Sequence, residues 1–187
     1  MSKRRKSTIT INGKPVYKIT EKSRSKLALY FRILRDTIHI WEEVVGDPEL
    51  ENEFCTSMRN QLFDATGIKF FESGLYSEEA LLCVEKSLLS KDHAIQRTKV
   101  VSILCKGISD RKITNENTFI RWVKKYAFTV VITKEQHKNI NRLAKEYPTL
   151  TNIELYEVAG IKIPGMDVYL RKNGLITKAS AEYFTEK

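Results

Sequence analysis

Alternating apolar and polar residues flank Asn12-Gly13 in the stretch Thr8–Ile19, and that pattern predicts a β-hairpin with a tight turn. Pro15 then takes an edge position. Beyond it the period changes. Leu27, Tyr30, Ile33, Leu34, Ile38, Trp41 and Val45 recur at steps of three and four, which predicts a helix over 22–45. Gly46-Asp47-Pro48 stops it. A second helix is expected from Pro48 to Ala65, with Phe54, Met58, Leu62 and Phe63 on its apolar face and Gly67 at its end. Ile68–Tyr76 is ambiguous. Ser77–Glu85 opens as a helix and passes into Ser87-Leu88-Leu89-Ser90, a short strand.

The second half reads more clearly. Ala94–Lys106 carries Ile95, Val100, Val101 and Leu104 at helical spacing, closed by Gly107. Asn115–Tyr126 is a further helix, with Trp122 on its core side. Phe128–Ile132 is rich in β-branched residues and predicts a strand. Thr133-Lys134-Glu135-Gln136 is a capping box that opens a helix to about Glu146, stopped by Pro148. Thr151-Asn152-Ile153-Glu154 is a second capping box, for a short helix ending at Gly160. From Ile161 the expectation is loops, with a short strand at Met166–Leu170.

Charge changes the picture from fold to partner. The 187 residues carry a net +9, unevenly spread. Residues 1–35 hold 11 Lys/Arg against the single acid Glu21, residues 36–90 hold 3 basic against 12 acidic, and residues 91–187 hold 18 basic against 10 acidic. Basic blocks attract polyanions, above all nucleic acid. Lys3, Arg4, Arg5 and Lys6 form a basic arm, expected to be disordered. Arg24 and Lys26, and again Arg171 and Lys172, form short basic-polar clusters that can reach phosphates. No apolar run approaches the length of a membrane span. The N-terminus lacks the apolar stretch of a secretory leader, and Cys55, Cys83 and Cys105 form no C-x-x-C pair. These features predict a cytoplasmic chain without membrane partner.

Several chemistries are excluded. The sequence has no phosphate-cradling glycine loop, hence no expected nucleotide cofactor, and no G-x-S-x-G. What remains is an Asp-His pair. Asp92-His93 closes a predicted strand, and His137 lies in the first turn of the helix after the next strand. A carboxylate at a strand end is a hard ligand for Mg²⁺ or Mn²⁺. A neighbouring histidine can deprotonate water, and a helix residue can complete the metal site. His137 is placed for that, with Asn139 or Asn141 as alternatives. His39, between Ile38 and Ile40, reads instead as a half-buried structural histidine.

The segments Leu89–Arg97, Val130–Asn139 and Leu155–Ile163 resemble the His-Me finger nucleases of phages, the HNH-type and endonuclease VII-like homing enzymes. The resemblance covers roughly residues 80–163. It implies a ββα-metal element whose first strand carries Asp92 as metal ligand and His93 as general base, with His137, Asn139 or Asn141 as the helix ligand. Arg97 then holds the scissile phosphate. Two departures stand out: about 35 residues separate Asp92-His93 from the second strand, and zinc-binding cysteines are absent. The expected architecture is α+β, mainly helical, with an N-terminal β-hairpin and a ββα-metal-type element carrying a large insertion. Its expected parts are a basic arm (1–6), a hairpin and helical clamp or interaction region (7–75), the nuclease core (76–163) and a basic extension (164–187). The expected function is metal-dependent endonuclease action on double-stranded DNA. The alternatives are a non-catalytic DNA-binding protein and a protein-binding regulator that uses its acidic middle region.

Overall fold

The computed structural model describes residues 8–11, 14–17, 21–60 and 71–175. The fold is α+β and mostly helical, and it divides into two units. The chain passes between them: the first unit takes the described residues up to 72 and then 95–128, the second takes 73–94 and 129–175. The basic residues Lys3, Arg4, Arg5 and Lys6, and the expected helix end at Gly67, lie outside the described residues.

In the first unit β1 (Thr8–Ile11) and β2 (Lys14–Tyr17) pair antiparallel, Ile11 opposite Lys14; the expected turn residues Asn12 and Gly13 lie outside the described residues. The periodic stretch 22–45 forms two helices rather than the expected one, α1 (Glu21–Asp36) and α2 (Ile38–Val44). The break falls at Thr37, whose Oγ1 donates to the Ile33 carbonyl at 2.8 Å; a hydroxyl that bonds back to its own helix competes with continuation. Asp47 caps α3 (Pro48–Arg59) by accepting from the backbone N–H of Glu49 and Leu50. The insertion forms α5 (Arg97–Ser109) and α6 (Glu116–Tyr126). Leu27, Leu34, Val100, Leu104, Phe119 and Val123 are fully buried, and the Phe31 and Phe119 rings meet at 5.4 Å. Gly107 does not close α5 but lies inside it. A Cβ there would stand 2.7 Å from Ile113 Cδ1 and 2.8 Å from Trp122 Cζ3, so packing dictates the glycine. Trp122 is half-buried, its ring tilted against that of Tyr126 with centroids 5.4 Å apart. His39 is exposed on α2, not half-buried.

The second unit is built on a mixed three-stranded sheet of order β3-β5-β4, with β3 at Phe71–Tyr76, β4 at Leu89–His93 and β5 at Phe128–Thr133. Ile68–Tyr76, ambiguous in sequence, thus contributes a strand. β4 and β5 run antiparallel, Asp92 opposite Val130 and His93 opposite Thr129. The two strands pair directly although the whole insertion lies between them in sequence. After β3 comes α4 (Glu78–Leu82), capped by Ser77. α7 (Lys134–Glu146) follows β5, and α8 (Asn152–Val158) follows α7, each opened by the predicted capping box. Val130, Ile132, Ile140 and Leu155 are fully buried between sheet and helices. Met166–Leu170 is not a strand: α9 spans Met166–Lys172. Gly165, at φ +81, supplies the left-handed turn that starts it, and Leu170 anchors it in the core.

Candidate functional site

The site grows from the junction β4, β5, α7. β5 leads straight into α7 through Thr133, whose Oγ1 accepts from Gln136 N–H while Gln136 Oε1 accepts from Thr133 N–H. Buried Ser77 donates to the same Oε1 at 2.7 Å. Three groups therefore fix the first turn of α7, and with it the position of His137 one residue on. In β4, residues two apart share a face, so Ser90 and Asp92 both turn to that side. His137 spans them: its Nε2 is 3.3 Å from Asp92 Oδ1, and its Nδ1 is 3.3 Å from Ser90 Oγ.

Asp92 is 3% exposed, which would be costly for a lone carboxylate. Its partners come from α8. Tyr156 Oη donates to Oδ2 at 2.6 Å, and Asn152 Nδ2 donates to Oδ2 at 3.2 Å and to the His93 carbonyl at 2.8 Å. Ile153 N–H donates to the Ala94 carbonyl. The start of α8 thus clamps the end of β4. Burial, then the charge of Asp92 and the hydrogen bond to it, hold the Tyr156 phenol far above its ordinary pKa, so it stays a donor. His137 titrates above its ordinary value. The hydrogen bond to Asp92 is the main cause, desolvation opposes it, and the Asp92 charge adds to it.

Asn141, one turn after His137, brings its Nδ2 to 3.5 Å from His137 Nε2. Asn139 lies about 200° round the helix from His137, and its amide oxygen accepts from Arg142 at 3.0 Å. His93 closes β4 with a half-buried ring, on the strand residue next to Asp92. Arg97 opens α5 and belongs to the other unit. Arg24 reaches Asn117 at 3.4 Å in that unit, where Lys26 also lies on α1. Arg171 is paired with Asp167 at 2.9 Å and Lys172 is exposed, both in the last turn of α9.

Three residues of the site escaped the sequence reading: Ser90, Asn152 and Tyr156. Each had a signal. Ser90 is two before Asp92 on a strand, and Asn152 and Tyr156 are one helical turn apart behind a recognised capping box. Among the described residues no three His, Cys, Asp or Glu side chains converge as a metal-binding group. The set at hand is one carboxylate, one imidazole and the Asn141 amide. Asp92 Oδ1 and His137 Nε2 face each other as a hydrogen-bonded pair at 3.3 Å; carboxylate, imidazole and amide are donor types that would hold a divalent cation if one displaced that bond. Tyr156 and Asn152 on the Asp92 carboxylate and Ser90 on His137 Nδ1 hold Asp92 Oδ1 and His137 Nε2 facing each other. Comparison with protein families, curated proteins and solved structures finds no match to this chain. Among the described residues no helix is long and apolar enough to cross a membrane.

Proposed function

We propose that the chain is a metal-dependent DNA endonuclease of the His-Me finger kind. The observation that carries the reading is the close approach of Asp92 on β4 to His137 on α7, at 3.3 Å, in a strand-strand-helix arrangement. Asp92 and His137 would hold a divalent cation, with Asn141 beside them. When bound, that ion supplies Lewis-acid stabilisation of the charge that builds on the phosphate and the leaving 3′ oxygen. His93 alternates to the other face of β4 from Asp92 but ends the strand, where a bend would bring its ring round to the same cavity; there it would take a proton from water, the water oxygen would bond to phosphorus, and the bond from phosphorus to the 3′ oxygen would break. Ser90 orients the His137 ring, and Tyr156 and Asn152 orient the Asp92 carboxylate, so neither ligand has to be ordered when the ion arrives. The net positive charge of the chain draws it to DNA.

The test is nicking of supercoiled plasmid by the purified chain with Mg²⁺ or Mn²⁺, and again with chelator in excess. Relaxed plasmid with metal and intact plasmid with chelator supports the reading. Intact plasmid in both removes it, and leaves Asp92 as a buried carboxylate satisfied by its neighbours.

A further inference from the structure

Helix α7 presents a second feature, on the side turned away from the core. Its buried residues Gln136, Ile140 and Leu143 define one face. With about 100° of turn per residue, Lys145 and Lys138 lie only about 20° and 40° from Lys134, directly opposite that buried face. All three lysines are exposed. Among the described residues none of them is held in an ion pair, and the α7 acids Glu135 and Glu146 fall about 100° and 120° away from Lys134, off the stripe. Arg142, bridged to Glu146, sits between stripe and acids. On the other border of the stripe stand Asn141 and His137, about 20° and 60° from Lys134.

We propose that Lys134, Lys138 and Lys145 form a track for the sugar-phosphate backbone of duplex DNA, which leads the strand past His137 and Asn141 to Asp92. This rests on the endonuclease reading of the neighbouring site. The spacing suits a backbone: Lys134 and Lys145 are separated by about 16 Å of helix rise, the axial length of about five nucleotide steps of one strand. Lysine ammonium groups act as point charges toward phosphate and carry no base information, so the track is indifferent to sequence. A lipid surface would ask for the opposite helix: a basic amphipathic helix binds a bilayer by inserting its apolar face, and in α7 that face, Ile140 and Leu143, is buried in the core.

The experiment is fluorescence anisotropy with a short labelled DNA duplex over a salt series, in chelator so that nothing is cut. Wild type is compared with K134Q/K138Q/K145Q and with K86Q/K106Q/K162Q, which removes the same charge from exposed lysines elsewhere. Each lost phosphate contact lowers the slope of log K against log[salt] by about 0.9, so the α7 triple should flatten it by about 2 to 2.7. The other triple should flatten it by less than about 1. Equal flattening in both triples, an unchanged slope in the α7 triple, or a wild type that does not bind the duplex overturns the track. Plasmid nicking is read separately. Nicking with no effect of the α7 lysines removes the track alone, and flattening without any nicking keeps the track and removes the endonuclease.

Discussion

Asp92 Oδ1 and His137 Nε2 stand 3.3 Å apart, a carboxylate from β4 and an imidazole from α7 that meet only because β5 pairs with β4 across a long insertion. The charge of the one is offset by the other together with Tyr156 and Asn152. A buried polar cluster of this kind is satisfied as a set, and removing one member leaves the others short of a partner.

Tyr156→Phe is the mildest such removal. It deletes a hydrogen bond of 2.6 Å to a buried carboxylate without changing the shape of the ring. We expect a loss of about 1.5–3 kcal/mol in urea unfolding, the range for hydrogen bonds to charged groups. Asp92→Asn should cost less than Asp92→Ala, because the amide oxygen still accepts from Tyr156. A Tyr156→Phe chain as stable as wild type would show that the hydroxyl does not hold Asp92.

His137 gives a pH dependence of definite sign. Its folded pKa lies above the ordinary 6.5, so the protonated ring contributes its interaction with Asp92 in full below 6.5. That contribution fades as pH rises through the higher folded value. The ring is 35% exposed, so solvent screening keeps the change small. In chelator, the urea midpoints of wild type and His137→Gln should therefore converge as pH rises from below 6.5 to well above it. A gap that is constant or widens with pH contradicts the pairing.

Two backbone positions in the first unit should respond in opposite directions. Gly107→Ala places a methyl 2.7 Å from Ile113 Cδ1, and overpacking of that kind costs about 1–3 kcal/mol, against a helix-propensity gain of about 1 kcal/mol. Net destabilisation is expected. Arg111 adopts φ 56, a left-handed conformation that strains any residue with a Cβ. Arg111→Gly should raise stability by about 0.5–1 kcal/mol, less than the full relief because glycine gains freedom in the unfolded chain. Thermal unfolding of the two variants reads both signs.

The cysteines should separate by reactivity. Burial, and then the Glu51 charge, push the Cys55 thiol up to about 12. Burial also raises Cys105, with the charges of Cys55 and Glu51 adding to it. Cys83 is half-exposed. A thiol-specific chromogenic reagent at neutral pH should label one thiol rapidly in the native chain and three after unfolding, since the thiolate is the reacting form. Rapid labelling of Cys55 or Cys105, located by peptide mapping, would contradict the buried α3–α5 arrangement.

What the sequence discloses is mostly local. The capping boxes at Thr133 and Thr151, the apolar spacing of the helix expected at Asn115–Tyr126 and the β-branched run of β5 depend on neighbours a few residues away, and each element stands where it was expected. Errors arise where local signals mislead. Met166-Asp167-Val168-Tyr169-Leu170 alternates like a strand, yet the left-handed Gly165 turns it into α9. Unbroken periodicity hides the stop at Thr37, which one hydroxyl decides. In the site, Asp92 and His137 stand out because chemistry and order along the chain point to them. Asn152 and Tyr156 do not: their one-turn spacing behind a capping box is visible, but only the return of α8 onto β4 gives it a role.

The most direct measurement compares wild type with His93→Ala in plasmid nicking with Mg²⁺ or Mn²⁺, with duplex affinity measured alongside in chelator. Removing the proposed general base, and neither a proposed metal ligand nor the proposed lysine track, should abolish nicking while affinity stays within about twofold of wild type. His137→Ala should also lower activity more than Asn141→Ala, because the imidazole lies nearer the carboxylate. A His93→Ala chain that nicks as fast as wild type, or a wild type whose nicking survives chelator, contradicts the proposed chemistry.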